Sequence, residues 1–365
     1  MKFIDWFAGI GGFREGMEKV GHECVGFYEF DRFATASYVS MHCITEEQRE
    51  YLSALDFKKR QKEILKDEYR NGEWYAPDIR RVYADDIPDA DCWCFGFPCQ
   101  DISVAGKQAG FEGNRSSLFF RVMYLLGQLQ EEKRPHILFI ENVKNLLSVN
   151  GGWDFARLLV EMDKAGYDAE WDVLNSKDFN VPQNRERCFI IGHLRGRCGS
   201  KVFPIDKSTE PDSVQKIRQF GRLGGKNRDN QQRYRVYSQN GIGPTLQTMK
   251  GDGRVPCVAV VGGIGEKKSN NGTQWYQQDR IYDIGCISPA LSKDKADLNI
   301  LCDGEHAIVR KLTPKECFRM QGWSDEKFEK AQFVNSDSQL YKQAGNGVTV
   351  SVIEAIAAKM EGCRK

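Results

Sequence analysis

Apolar positions near the start of the chain predict a strand, a turn, a helix and a second strand. KFIDWF is a short apolar run, Gly9, Gly11 and Gly12 make a tight turn, and Phe13, Met17 and Val20 recur at helical spacing before Gly21. ECVGFYE is a second strand that ends at Glu29. The same texture continues along the chain. DCWCFGF at 91–97, HILFIEN, DAEWDVLN and RCFIIG read as strands, as does the short RVYAD stretch before Asp86 and Ile87. Residues 116–129 and 153–165 carry helical periodicity. Strands alternating with helices of this length predict an α/β fold, a doubly wound and mainly parallel sheet. Residues 46–73 are rich in Glu, Lys and Arg with few helix breakers, which predicts exposed helix lying outside the core.

The texture changes after about residue 195. Gly, Asn, Gln and Arg become frequent and helical periodicity disappears until about residue 305. TPKECFRMQG and VTVSVIEAIAAKM then read as helices, the second closing the fold. The expected division is one unit over 1–195 and 306–365, with a smaller, loop- and strand-rich unit over 196–305.

Composition and charge narrow the class. Apolar residues make up 41% of the 365-residue chain, which is globular composition. The longest apolar runs, HILFI and CFIIG, fall far short of the roughly 18 residues of a membrane span, and the N-terminus lacks a cleavable signal layout. No membrane association is expected. The twelve cysteines are spread through the chain and are expected to be free thiols in a cytoplasmic protein. Net charge is only +1, yet residues 195–254 hold 13 Lys+Arg and 5 Asp+Glu, a local +8 that leaves −7 for the remainder. A basic segment beside an acidic remainder suits either a polyanion or a solvated surface.

Several short motifs carry candidate chemistry. The turn Phe7-Ala8-Gly9-Ile10-Gly11-Gly12 follows a strand and opens a helix, where nucleotide-like cofactors sit in doubly wound sheets. Arg14 stands where a dinucleotide fingerprint requires a third glycine, which disfavours a Rossmann dehydrogenase. Glu29, at the end of the second strand, is placed to hold a ribose diol. Gly96-Phe97-Pro98-Cys99-Gln100 presents a thiol at a strand's carboxyl end, either as a nucleophile or as an inert buried side chain like Cys92 and Cys94. The spacing of Cys92, Cys94 and Cys99 does not suit a metal. Glu141, directly after HILFI, is a candidate general acid. Gln183-Asn184-Arg185-Glu186-Arg187 sets two arginines at i, i+2, on one face of an extended segment, for a phosphate, a base oxygen or a surface ion pair.

The set FxGxGG, GFPCQ, ENV and QxRxR, followed by RKLTPKECFRMQG at 310–322 and AGNGVTVSV at 344–352, resembles the cytosine-C5 DNA methyltransferases of bacteria and phages. The resemblance covers roughly 1–45, 78–195 and 305–365. Gly347 stands where many members carry Ser. The resemblance implies the sheet of S-adenosylmethionine-dependent methyltransferases, with a target-recognition unit inserted at 196–305. It implies that Cys99 adds to C6 of a flipped cytosine, Glu141 acts at N3, Arg187 holds O2, and Arg185 helps to anchor a phosphate or the loop. S-adenosyl-L-methionine, leaving as S-adenosyl-L-homocysteine, would bind Phe7, Gly9, Gly11, Glu29, Phe30, Asp86, Ile87, Pro98, Asn346 and Val348, with no metal. The expected partner is double-stranded DNA, contacted also by Gln100 and Ser103. A monomeric enzyme is expected, with a cognate restriction endonuclease acting on the same sequence. A related RNA methyltransferase is disfavoured by the long basic segment, and a silent nucleic-acid-binding subunit by the intact Cys99, Glu141, Arg185 and Arg187. The charged segment 46–73 is expected to be dispensable.

Within the inserted unit, Arg235-Val236-Tyr237 with Ile242, Pro244 and Leu246 matches Arg280-Ile281-Tyr282 with Ile287, Pro289 and Leu291, at a constant offset of 45 residues. The expectation is two copies of a strand–turn–strand unit that share a small core. Arg235, Tyr237, Arg280 and Tyr282 would then face DNA, with the polar loops 247–254 and 292–299 reaching toward bases.

Overall fold

A computed structural model describes residues 1–97, 118–197, 200–207, 245–246 and 312–360 in full, and the backbone of 219–222, 235–238, 257–261, 281–283, 298–302 and 305–311. In chain order the elements begin with β1 (Lys2–Trp6), α1 (Gly12–Lys19), β2 (Glu23–Tyr28), α2 (Arg32–His42), α3 (Glu46–Ser53), α4 (Phe57–Glu63), β3 (Trp74–Ala76) and β4 (Cys92–Phe95). Next come α5 (Leu118–Gln128), β5 (Ile137–Val143), α6 (Trp153–Lys164), β6 (Tyr167–Asn175) and β7 (Glu186–Leu194). Six strands follow: β8 (Gln219–Arg222), β9 (Arg235–Ser238), β10 (Cys257–Val261), β11 (Ile281–Asp283), β12 (Leu298–Cys302) and β13 (Glu305–Lys311). The chain closes with α7 (Pro314–Arg319), α8 (Asp325–Gln332), α9 (Asp337–Asn346) and α10 (Val350–Lys359).

The seven-stranded sheet has the order β3-β2-β1-β4-β5-β7-β6. The five strands from β3 to β5 run parallel, and β7 lies antiparallel to both β5 and β6. The chain winds outward from β1 to β3 and then restarts on the other side of β1 with β4. The carboxyl ends of β1 and β4 therefore flank the switch point, where ligands sit in doubly wound sheets. One face, with Ile4, Trp6, Trp93 and Phe95, packs with Phe119, Val122 and Leu158 of α5 and α6. The other, with Phe3, Cys92, Cys94 and Phe139, packs with Phe13 and Met17 of α1 and Ile353 and Ile356 of α10. A Cβ at Gly16 would lie 2.6 Å from that of Ile353, so close packing of α1 on α10 needs the glycine. The end of the chain thus returns to complete the first layer.

The structure corrects four expectations. Residues 46–73 are not an excursion from the core. Leu52 and Ile64 are fully buried and Tyr69 nearly so, in a cluster with Tyr38 and Val39 of α2 and Val334. Each short helix contributes so few apolar side chains that no periodicity shows in the sequence. Second, RVYAD is not a strand. Asp78 accepts from the Arg80 amide and starts short 3-10 turns at Ile79–Arg81 and Ala84–Asp86, while the sheet's edge strand is β3. Third, two further helices, α8 and α9, lie between the ones expected near the end of the chain.

The fourth correction concerns the strand–turn–strand unit. A second sheet has the order β11-β12-β13-β10-β9-β8. Both β9, carrying Arg235 and Tyr237, and β11, carrying Tyr282, are strands in it, but β9 runs parallel to β10 and β11 parallel to β12. Leu246, expected to end the second short strand of its unit, lies outside any strand. It is buried instead with Ile10, Phe318 and Leu340. Arg280, the polar loop 247–254 and residues 284–297 lie outside the described residues. Val202 and Ile205 pack with Phe3 and Phe139 beneath the first sheet, and β13 lies between β12 and β10 in the second sheet as far as Lys311.

Candidate active site

The turn after β1 is built from backbone conformations that favour glycine. Gly9 and Gly11 have φ of 58° and 84°, and even Phe7 is left-handed at 55°. The Gly11 amide donates to the Ala8 carbonyl at 2.8 Å, and the Ala8 amide to the Tyr28 carbonyl at 2.9 Å, which ties the turn to the end of β2. Glu29 follows at once. Its Oε2 accepts from the Gly9 amide at 2.8 Å and its Oε1 from the Asp31 amide at 2.7 Å. Burial pushes the Glu29 carboxyl up to about 7, against the pull of those two amides. The Phe30 ring beside it is 67% exposed. A Cβ at Gly12 would lie 2.6 Å from Val348 Cγ2, so the segment after α9 seats directly on this turn. Ile87 is buried among Trp6, Tyr28 and Phe97, and Asp86 is exposed beside it.

A second group of residues gathers where β4 and β5 end beside the start of β7. A Cβ at Gly96 would lie 3.1 Å from Glu141 Oε2, and the Asn142 side chain donates to the Phe97 carbonyl at 3.1 Å. Gly96 and Phe97 therefore leave β4 against Glu141 and Asn142. In the antiparallel register Val143 stands opposite Arg187, and Arg187 Nε lies 3.0 Å from Glu141 Oε1. Lys144 and Glu186 make a more exposed ion pair at the same lip, 3.1 Å apart. Cys99, Pro98, Gln100 and Ser103 lie outside the described residues.

Arg185 has different partners from Arg187. It is buried, and its guanidinium donates to the carbonyls of Gly347 at 2.8 Å, Leu246 at 3.1 Å and Gly345 at 3.4 Å. It thus ties the approach to β7 to two segments far apart in sequence, at Leu246 and at 345–347. Gly347 has φ −67°, which serine also adopts, so the exchange relative to many members is conformationally neutral.

A family model described as C-5 cytosine-specific DNA methylase matches residues 1–362. The chain belongs to that family. The type II methyltransferase M.HhaI of Haemophilus parahaemolyticus is 31% identical over 359 residues, covering 98% of this chain and 93% of that protein. M.DsaV of Dactylococcopsis salina, also named a type II methyltransferase, is 31% identical over 361 residues, covering 99% of this chain and 86% of its own length. The orphan methyltransferase M.SPBetaI of Bacillus phage SPbeta is 28% identical, covering 98% and 96%. The same fold occurs in the solved structures of the Entamoeba histolytica methyltransferase EhMeth and of S. pombe Dnmt2. The first has TM-score 0.60 at 15% identity, covering 100% of this chain and 97% of the other. The second has TM-score 0.60 at 14% identity, covering 100% of both. The protein is a DNA (cytosine-5-)-methyltransferase that uses S-adenosyl-L-methionine.

Within the methyltransferase, the two late motifs are joined to each other and to Ser176, just after β6, by a buried polar network that sequence spacing does not reveal. Thr349 donates to Gln321 Oε1 at 2.8 Å, so Ser176 supplies the hydrogen of its own 2.8 Å bond to Thr349, and Gln321 donates to the Ala344 carbonyl at 2.9 Å. Among the described residues Cys24, Cys43, Cys92, Cys94, Cys188 and Cys317 are free thiols. Burial pushes Cys188 up to about 12 and Cys94 well above the ordinary thiol range, which makes both poor nucleophiles. No helix among the described residues is long and apolar enough to cross a membrane.

Proposed function

We propose that the two groups of residues divide the work, the glycine turn binding the cofactor and the β4–β5–β7 edge activating the base. S-adenosyl-L-methionine supplies a methyl group on a positively charged sulfur and leaves as S-adenosyl-L-homocysteine. Phe7, Gly9 and Gly11 let backbone approach its methionine portion, Glu29 accepts from the ribose hydroxyls, and Phe30 stacks on the adenine. Asp86, Ile87, Pro98, Asn346 and Val348 complete that pocket. The fit rests on chain chemistry: the Glu29 carboxylate held by two amides beside the exposed Phe30, at the mouth of a glycine-rich turn.

The target atom is inaccessible in a duplex, so the cytosine is flipped out. Cys99 adds as thiolate to C6, and the ring electrons move to C5, which takes the methyl group. Glu141 hydrogen-bonds or protonates N3, Arg187 holds O2, and loss of the C5 proton expels Cys99 and restores the ring. The observation that carries this reading is the Glu141–Arg187 pair at 3.0 Å beside Gly96, since N3 and O2 are neighbours on one edge of the base. Arg185 is proposed as the positioning residue of this edge. The six-stranded sheet is proposed as the target-recognition unit, with Arg235, Tyr237, Arg280 and Tyr282 toward DNA and Gln100 and Ser103 at the flipped base. A monomeric cytoplasmic enzyme, paired with a cognate restriction endonuclease, completes the proposal.

Conversion sequencing of a plasmid carrying the gene tests the activity and reads the target in one step. Methylated cytosines in a single sequence context are expected from the wild type. Their persistence with Cys99→Ala would overturn the covalent assignment.

A further inference from the structure

His42, the last residue of α2, is outside every motif above, yet its ring lies against the glycine turn. A Cβ at Gly11 would be 2.6 Å from its Nε2 and 3.0 Å from its Cδ2. Nε2 is 3.0 Å from the Ile10 carbonyl oxygen, and Nδ1 is 3.1 Å from Lys327 Nζ. Lys327 of α8 also donates to the Met41 carbonyl at 3.2 Å and pairs with Glu15 of α1 at 2.9 Å. A lysine ammonium only donates, so the Nδ1 facing it carries a lone pair. A carbonyl only accepts, so Nε2 carries the proton. The two neighbours thus select one neutral tautomer. Burial and the positive charges of Lys327, Arg14 and Lys330 hold the His42 pKa well below the usual histidine range, against the pull of the Ile10 carbonyl.

The turn needs such a hold. Ile10 sits between two left-handed glycines, the residues with the most conformational freedom to lose. Its side chain is anchored by burial with Phe318 and Trp323. Its carbonyl orients the peptide plane that leads into Gly11. We propose that His42 is a positioning residue for cofactor binding: through Nε2–H it fixes the Ile10–Gly11 peptide, so that the turn is ordered before the cofactor arrives. This rests on the glycine turn being the cofactor site.

Two measurements test it. In the full-length protein labelled with 15N-histidine, the His42 signals at neutral pH are expected to show a bare Nδ1 and a protonated Nε2, assigned by their loss in His42→Gln. The opposite tautomer, or an imidazolium, would overturn the proposal. Calorimetry with S-adenosyl-L-methionine then separates a donor from a space-filling ring. His42→Phe keeps a ring but removes the donor and is expected to weaken binding about tenfold, the effect of one lost hydrogen bond. His42→Gln keeps an N–H in reach of Ile10 and is expected to recover most of the loss. Phe binding as tightly as Gln, or more tightly, would sink the donor role. Glu29→Ala is the control for the site itself. If it and His42→Phe both bind like the wild type, the cofactor site is misplaced; if only His42→Phe does, the inference about His42 alone fails.

Discussion

Two glutamates at the same edge of one sheet have become different groups. Glu29 comes just after β2 and Glu141 lies near the end of β5, and both approach the switch point between β1 and β4. Glu29 is held by backbone amides, with the charge of Asp31 close by, and burial carries it up to about 7. Glu141 faces the Arg187 guanidinium across two antiparallel strands. An uncharged ribose diol needs two acceptor oxygens and no competing cation. A base edge that must take up hydrogen bonding at two neighbouring atoms needs an acid and a fixed donor together. The partner decides the role, and topology decides the partner.

The sharpest way to break this division is Cys99→Ala. Methyl transfer should be abolished while calorimetric cofactor affinity stays near that of the wild type, because the thiol acts only on the base side. Transfer of labelled methyl groups above trace level would show that Cys99 is not the nucleophile. Glu141→Gln should slow transfer by about 10²–10⁴-fold, the range of general acid catalysis, and less than Cys99→Ala because Gln still donates to N3. Equal losses in the two variants would mean that Glu141 has another task.

A third prediction concerns the support behind the cofactor side. Arg14 pairs with both Glu73 oxygens at 2.8 and 2.9 Å, and Ile64 is fully buried. Ile64→Ala should cost about 2–5 kcal/mol, read as a lower midpoint in urea unfolding. Deleting 46–73 should leave the protein insoluble, and a soluble, active deletion variant would restore the view of this segment as dispensable.

The smallest effect is a pH profile. A carboxyl raised in the folded protein adds stability below its unfolded pKa and loses that contribution as pH rises through the folded value. The cofactor-free protein should therefore lose the Glu29 contribution between about 4.5 and about 7. The ionised form is the better acceptor for a diol, so cofactor affinity should fall as pH drops below about 7, by up to about tenfold per unit. Glu29→Gln should remove that slope. A flat wild-type profile from pH 6 to 8 would show that Glu29 is already ionised or does not meet the ribose.

The sheet was legible because parallel strands buried on both faces are written as continuous apolar runs, as in CWCF and ILFI. The glycine turn, Glu29 and Glu141 were legible because each sits beside such a run. The role of 46–73 was not, because Leu52, Ile64 and Tyr69 are spread through a charged stretch without a helical period and meet only in space. Nor was Arg185, since the same QxRxR spacing suits an exposed cation and a buried clamp on three carbonyls.

By itself the sequence determined which strands lie inside the sheet, where its turns fall and which reactive side chains stand at strand ends, since all of these follow from neighbours a few residues apart. Only the tertiary structure decided the partners. Glu141 with Arg187, Arg185 with Leu246 and Gly347, and His42 with Ile10 and Lys327 join segments brought together by sheet order and helix packing. The protonation of a buried group is set by the charges and dipoles that surround it in space, and spacing along the chain carries no record of them.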